Sequence, residues 1–350
     1  MLLSTSSASA VPPGDVRELQ LGVLGFGRIG SLHARTIAEM PLARLLAVCD
    51  TDHRALVRAQ SMYPVSTTTD LFEFLRMPLD GVVIASSSQC HAEQIAAAAT
   101  AGIAVFSEKP IALTLAETDR LLMSISSRRI PFQIGFQRRW DRRFRRMKDV
   151  IDSGDVGQPV LFKAHGRDPD ASKPANWGLD KNGGLFANSA IHDYDAARFL
   201  LGREVDKISA TGATLVHRGL RMVGDLDICS TTLFFGDDAM ALTEWSRFAS
   251  TGYEVFAEVV GTRGSVRLET EQGSSVVILK GNRSSQTVVE FFGQAYRASL
   301  HEFAGAVREG RQPNPGPDDA RAALQLATLA RASFDRGGAE VNVPRLAPLG

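Results

Sequence analysis

Six residues, Gly25-Phe26-Gly27-Arg28-Ile29-Gly30, constrain what this chain can fold into more than any other stretch. They follow the apolar run Leu21-Gly22-Val23-Leu24 and lead into a helical pattern from about Ile29 to Glu39. A second apolar run, Leu45 to Cys49, then ends at Asp50, twenty residues after Gly30. Strand, glycine turn, helix, strand and acid in that order describe a βαβ unit that binds a dinucleotide. Gly25 permits the tight turn, Gly27 lets the backbone approach a pyrophosphate, and Gly30 lets helix meet strand. Phe26, Arg28 and Ile29 belong to the same binding turn, and the helix N-terminus behind them supplies partial positive charge. Asp50 would accept hydrogen bonds from the ribose hydroxyls and repel a 2′-phosphate. NAD is therefore favoured over NADP, with Arg54 nearby leaving the second option open.

The same rhythm continues. Gly81 to Ala85 reads as a buried strand that ends in Ser86-Ser87-Ser88-Gln89-Cys90-His91. Ser86 and Ser88 are placed to line the path of the nicotinamide ribose. His91 heads an alanine-rich helix, where it either caps the helix or touches the cofactor. The run Ile103-Ala104-Val105-Phe106 is followed by Glu108-Lys109-Pro110. In an open parallel sheet the carboxyl ends of strands are where ligands bind, so Glu108 and Lys109 fall at the active edge. Thr114 to Ser127 then reads as a helix and Phe132 to Phe136 as the last strand. The expected class is α/β, with a doubly wound parallel sheet over residues 21–137 after a disordered tail, 1–20.

At 350 residues the chain is longer than one ordinary core needs, and residues 138–350 are expected to form a second domain for substrate and oligomerisation. Its 39 basic and 39 acidic residues balance, so no global field attracts nucleic acid or an anionic membrane. Three cysteines without CxxC spacing argue against a disulfide framework or a zinc site and point to the cytoplasm. No apolar stretch approaches a membrane span. Arg138 to Lys148 holds seven basic residues, yet Trp140, Phe144, Met147 and Ile151 recur through it at helical spacing. An amphipathic helix with a solvated basic face accounts for them. Arg138 and Arg139 precede that helix and could reach the site.

In the second domain a helix is predicted from Gly183 to about Leu201, with Asn188, His192 and Asp195 at i, i+4 and i+7 on one face. A capping role for Asn188 or Ser189 is the plainer reading, and a metal site from His192, Asp195 and His165 is conceivable. Alternating segments at 228–235, 239–247, 254–260 and 265–269 suggest a mostly antiparallel sheet with one face free to pack on a partner subunit. Helices near 295–309 and 318–334 close the chain.

The stretches GFGRIG at 25–30, EKP at 108–110, GFQRRWD at 135–141, RDP at 167–169 and IHDYDAARFLLG at 191–202 resemble the glucose-fructose oxidoreductase, inositol dehydrogenase and MocA family. The last two look closest to its bacterial inositol 2-dehydrogenase branch. The resemblance implies a Rossmann domain, a C-terminal α/β domain with an open sheet, a homotetramer or homodimer through that sheet, and NAD-linked oxidation of a ring hydroxyl on a small polyol. By the same carry-over His192 is the general base, Lys109 bonds the reacting hydroxyl, and Asp168 and Asp195 hold other hydroxyls; Arg138, from its place before the basic helix, is counted with them as substrate-binding. No metal is implied. One departure stands out: that branch usually carries aspartate where this chain has Asn188, and an amide cannot stabilise an imidazolium as a carboxylate does. Asn188 is therefore counted with the catalytic set as the residue that would tune, redirect or silence it. The alternatives are a pyranose or aminocyclitol substrate, and a catalytically silent NAD-binding sensor.

Overall fold

The computed structural model describes residues 17–169, 177–249, 252–268 and 287–345. The tail expected over 1–20 falls outside these residues as far as residue 16. Residues 19 and 20 belong instead to the first strand, where the Gln20 amide donates to Asp80 at 2.7 Å. Glu269, expected to end a strand, also lies outside the described residues.

The first layer alternates strand and helix: β1 (Leu19–Leu24), α1 (Arg28–Ala38), β2 (Ala43–Cys49), α2 (His53–Met62), β3 (Ser66–Thr68), α3 (Leu71–Leu75) and β4 (Gly81–Ile84). Next come α4 (His91–Thr100), β5 (Ala104–Ser107), α5 (Leu115–Arg128) and β6 (Phe132–Ile134). The six strands pair in parallel in the order β3-β2-β1-β4-β5-β6. Chain direction across the sheet reverses between β1 and β4, which opens a crevice at their carboxyl ends. Local chemistry sets the boundaries: Asp52 caps α2 by accepting from the Arg54 amide, and Thr114 caps α5 by accepting from that of Glu117.

Beyond α6 (Arg142–Asp152) the second layer is a sheet of seven strands. It begins with β7 (Pro159–Arg167), and α7 (Leu179–Asn182) and α8 (Ile191–Leu201) follow. The chain continues through β8 (Lys207–Ala213), β9 (Ile228–Phe235), β10 (Ala239–Ser246), β11 (Glu254–Gly261) and β12 (Ser265–Leu268). After α9 (Val288–Glu309) and α10 (Pro317–Asp335), β13 (Val341–Asn342) completes it. The strand order is β12-β11-β7-β10-β9-β8-β13, antiparallel except where β7 lies parallel to β10. In β7, β9, β10 and β11 alternate side chains are buried in a core shared with α6, α8 and α10, and the others face outward.

The two layers share more than a boundary. From α9, Leu300, Phe303 and Ala304 enter the core beneath β1 and β5, and from α10, Ala320 and Ala323 enter the core on the other face of the first sheet. Burial of Leu300 and of Phe303 contributes roughly 1.5–3 kcal/mol each. Chain from the far end of the sequence thus closes both faces of the first sheet. Among the described residues no helix is long and apolar enough to cross a membrane.

Candidate active site

The glycine turn has the three properties its spacing calls for. Gly25 adopts φ +88°, and a Cβ there would stand 2.6 Å from the Ser86 Cα, so β1 and the loop after β4 meet through a glycine. A Cβ on Gly30 would stand 1.7 Å from the Gly25 carbonyl oxygen. At Gly27, by contrast, an added Cβ meets nothing within 4 Å, which leaves an open cradle at the N-terminus of α1. No acidic side chain occupies the first turn of α1 and no side chain caps it, so its amides are left for an anion. Asp50 ties this turn to the end of β2: Oδ2 accepts from the Phe26 amide at 2.6 Å and Oδ1 from that of Asp52 at 2.8 Å. The cradle fits a dinucleotide.

A cavity of about 540 Å³ opens beside the turn and runs between the two sheets. The first layer lines it with Arg28, Ile29, Ser86, Ser88, His91, Glu108 and Lys109. Ser86 is fixed by donating to Gln94 at 2.6 Å. His91 is buried, with Nδ1 2.8 Å from the Pro110 carbonyl oxygen and Nε2 3.1 Å from that of Ser86. It pins the Glu108-Lys109-Pro110 edge to the loop after β4.

From the second layer come Asp168, Asn188 and His192. Lys109 Nζ donates to the Asn188 main-chain carbonyl, with the Asn188 Oδ1 3.5 Å away. Burial pushes the Lys109 ammonium down to about 8, against the upward pull of Glu108 and Asp168. His192 packs edge-on against Phe136 with ring centroids 6.2 Å apart, and its Nδ1 has no hydrogen-bond partner among the described residues. Burial holds its pKa well below the ordinary value, and the neighbouring Lys109 and Arg138 cations push it the same way. His192 is thus a neutral imidazole beside a lysine cation.

Other expected residues sit elsewhere. Asn188 and Ser189 do not cap α8; they lie in a π turn, Phe186–Ala190, that runs straight into it. The wider turn breaks the common face, keeping Asn188 and His192 at the cavity while Asp195 rotates away. Asp195 is buried and held by Arg139 through two bonds, 2.7 and 3.0 Å, and Arg139 also reaches Asp319 at 2.7 Å. Arg138 is not at the cavity surface either. It is buried and pairs with Asp193, so it acts behind the wall that it was expected to be part of. His165 lies on the outer face of the second sheet, 2.7 Å from Glu254, away from His192.

Reading the sequence missed several lining residues: Trp177, Lys181, Asn182, Trp245, Tyr253 and Tyr296. Trp245 is the clearest case. It pairs in register with Gly166 on β7, where an added Cβ would stand 1.9 Å from its ring, so the glycine lets the indole lie flat. In an alternating strand an aromatic residue reads as core; the cross-strand glycine was the available signal.

Residues 19–136 match the profile of an oxidoreductase family with an NAD-binding Rossmann fold, and residues 144–267 match the GFO/IDH/MocA C-terminal domain. The chain belongs to the Gfo/Idh/MocA oxidoreductase family. Within it, the chain is 34% identical over 327 residues to the scyllo-inositol 2-dehydrogenase (NAD(+)) of Bacillus subtilis, covering 91% of this chain and 95% of that one. To the inositol 2-dehydrogenase of Rhizobium meliloti it is also 34% identical, over 89% of this chain and 96% of the relative. The solved scyllo-inositol dehydrogenase of Lactobacillus casei, with bound NAD(H) and scyllo-inositol, superposes with a TM-score of 0.84 at 28% identity, over 93% of this chain and 99% of that one.

Proposed function

We propose that this Gfo/Idh/MocA protein is an NAD-dependent dehydrogenase that oxidises a ring hydroxyl of inositol or a related cyclitol to the ketone. The observation that carries the reading is the placement of Lys109 from the first layer and His192 from the second in the lining of one cavity that also takes in Arg28 and Ile29, next to the open Gly27 turn. Relatives named for scyllo-inositol and inositol oxidation support the substrate class.

Gly25, Phe26, Gly27, Arg28, Ile29 and Gly30 would hold the pyrophosphate, Asp50 the adenosine ribose, and Ser86, Ser88 and Glu108 the nicotinamide end. NAD, when bound, supplies the hydride acceptor. Lys109 donates to the reacting hydroxyl and stabilises the negative charge that grows on its oxygen. His192, neutral at working pH, accepts the hydroxyl proton. Asp168 accepts from another hydroxyl of the ring.

Division into an NAD-binding domain, 21–137, and a substrate and oligomerisation domain, 138–350, goes with this reading. The outer face of the second sheet supports a homodimer or homotetramer. Phe256 and Leu242 lie there among ion pairs such as Lys163 with Glu258 at 3.4 Å and Arg167 with Glu244 at 3.4 Å. Free Cys49, Cys90 and Cys229 fit a cytoplasmic protein.

The experiment is to mix purified protein with NAD and myo-inositol at mildly alkaline pH and follow the near-ultraviolet absorbance of reduced nicotinamide. Steady reduction is expected. Absence of reduction with every cyclitol, pyranose and aminocyclitol tried, alongside tight NAD binding, would favour the second reading, a silent NAD sensor, whose motivation is the amide at Asn188.

A further inference from the structure

His33 lies on α1 one turn past Gly30, fully buried, and serves no role in the chemistry described above. Its Nε2 stands 2.9 Å from Oε1 of Glu108. An ionised carboxylate only accepts, so the shared hydrogen belongs to His33. Nδ1 has no partner among the described residues, and the ring is held edge-on by Phe106 at 5.1 Å and Tyr296 at 5.8 Å between centroids. Glu108 is confined from the other side as well: a Cβ on Gly135 would stand 2.9 Å from its Oε2. Glycine there leaves room for the carboxylate and for nothing larger. A buried carboxylate without a donor is costly, and His33 provides one.

We propose that His33 is a positioning residue: its imidazole fixes the Glu108 carboxylate in a slot beneath the active edge, so that a negative charge stays beside Lys109. The charged groups that act on Lys109 are the anionic Glu108 and Asp168 and the cationic Arg247 and Arg28, with His91 and His192 as neighbouring imidazoles. Glu108 is the larger of the two anionic influences. The titratable groups facing His33 itself are Glu108 and, from α9, Tyr296. Without the His33 donor nothing holds the carboxylate in the slot, and its charge moves away from Lys109. The helix that receives the cofactor is in this way joined to the lysine that meets the substrate.

The inference rests on the dehydrogenase reading only for what Lys109 does, and its test needs no substrate, so the two fail separately. Acetic anhydride labelling of Lys109 is followed against pH by peptide mass spectrometry in the parent, His33→Leu, His33→Gln and Glu108→Gln. In His33→Leu and Glu108→Gln the labelling midpoint is expected to fall by roughly one pH unit, with about fivefold faster labelling at neutral pH. His33→Gln keeps an N–H donor and should stay near the parent. A site that is merely loosened labels faster at every pH with an unmoved midpoint, and that result overturns the proposal. So does an unmoved midpoint in Glu108→Gln, or a shift in His33→Gln as large as in Glu108→Gln. Circular dichroism identifies any variant that fails to fold; should His33→Leu be one, His33→Gln and Glu108→Gln decide on the same readout.

Discussion

Lys109 meets Asn188 through the backbone: its ammonium donates to the Asn188 main-chain carbonyl, while the side-chain Oδ1 stays 3.5 Å off. An amide at this position orients the lysine without countering its charge. Asn188→Asp would place a carboxylate within ion-pair reach of Lys109. We expect faster turnover on a cyclitol, with the alkaline limb of the rate profile displaced upward by roughly one pH unit. A variant no faster than the parent on every cyclitol tried refutes this, as measured by initial rates of NAD reduction.

The parent enzyme should have its own pH signature. His192 must be unprotonated to accept a proton, and burial holds its pKa well below the ordinary value, so the acid limb should lie below the usual histidine range. Lys109 must be protonated to act as a cation, and burial brings it to about 8, so activity should decline above that pH. The sign is fixed by the roles: base form of His192 gained as pH rises, cation of Lys109 lost as it rises further. A kcat/KM profile across pH 5 to 10 reads both limbs; a curve still rising well above pH 8 contradicts the role given to Lys109.

Gly27 and Gly30 should respond differently to an added side chain. Gly27 faces open space at φ −76°, so Gly27→Val should fold with an unchanged melting temperature and lose NAD affinity at least tenfold, about 1.4 kcal/mol. Titration of NADH fluorescence measures the loss. Gly30→Val, with a Cβ 1.7 Å from a backbone oxygen, should instead unfold the domain.

Asp195 belongs to the joint between the layers, and its removal should affect stability. Asp195→Ala leaves Arg139 and Arg198 short of a buried partner, and we expect a loss of roughly 3–5 kcal/mol. KM for the polyol should stay within about twofold, since the residue does not line the cavity. Urea unfolding together with steady-state kinetics separates the two effects.

These contrasts show what could be read from the chain in advance. The glycine turn, Asp50 and the Glu108-Lys109 edge were legible because backbone geometry and local spacing dictate them. The second sheet was legible as alternation, though β7, β8 and β13 were not singled out. Asp195 misled because an α-helical period was carried through residues that form a π turn, and nothing in Phe186 to Ala190 marks the change of period. Arg138 and Arg139 were read from their nearness in sequence to the site, whereas their partners Asp193, Asp195 and Asp319 are 55, 56 and 180 residues away. Trp245, Tyr253 and His33 are long-range cases of the same kind: each looks like core until a distant segment turns one side of it into a cavity wall or a carboxylate slot.

Gly166 and Trp245 stand on strands whose next residues, Arg167 and Glu244, point the opposite way. The residues that shape the pocket and those that would meet another subunit are therefore interleaved one by one along β7 and β10. A single-codon deletion in either strand would exchange the two sets, placing ion-pair residues against the substrate and an indole on the outside. Descendants of this chain can alter ligand preference by replacing side chains, but these two strands can change length only by even steps, so their spacing should be inherited more strictly than their residues.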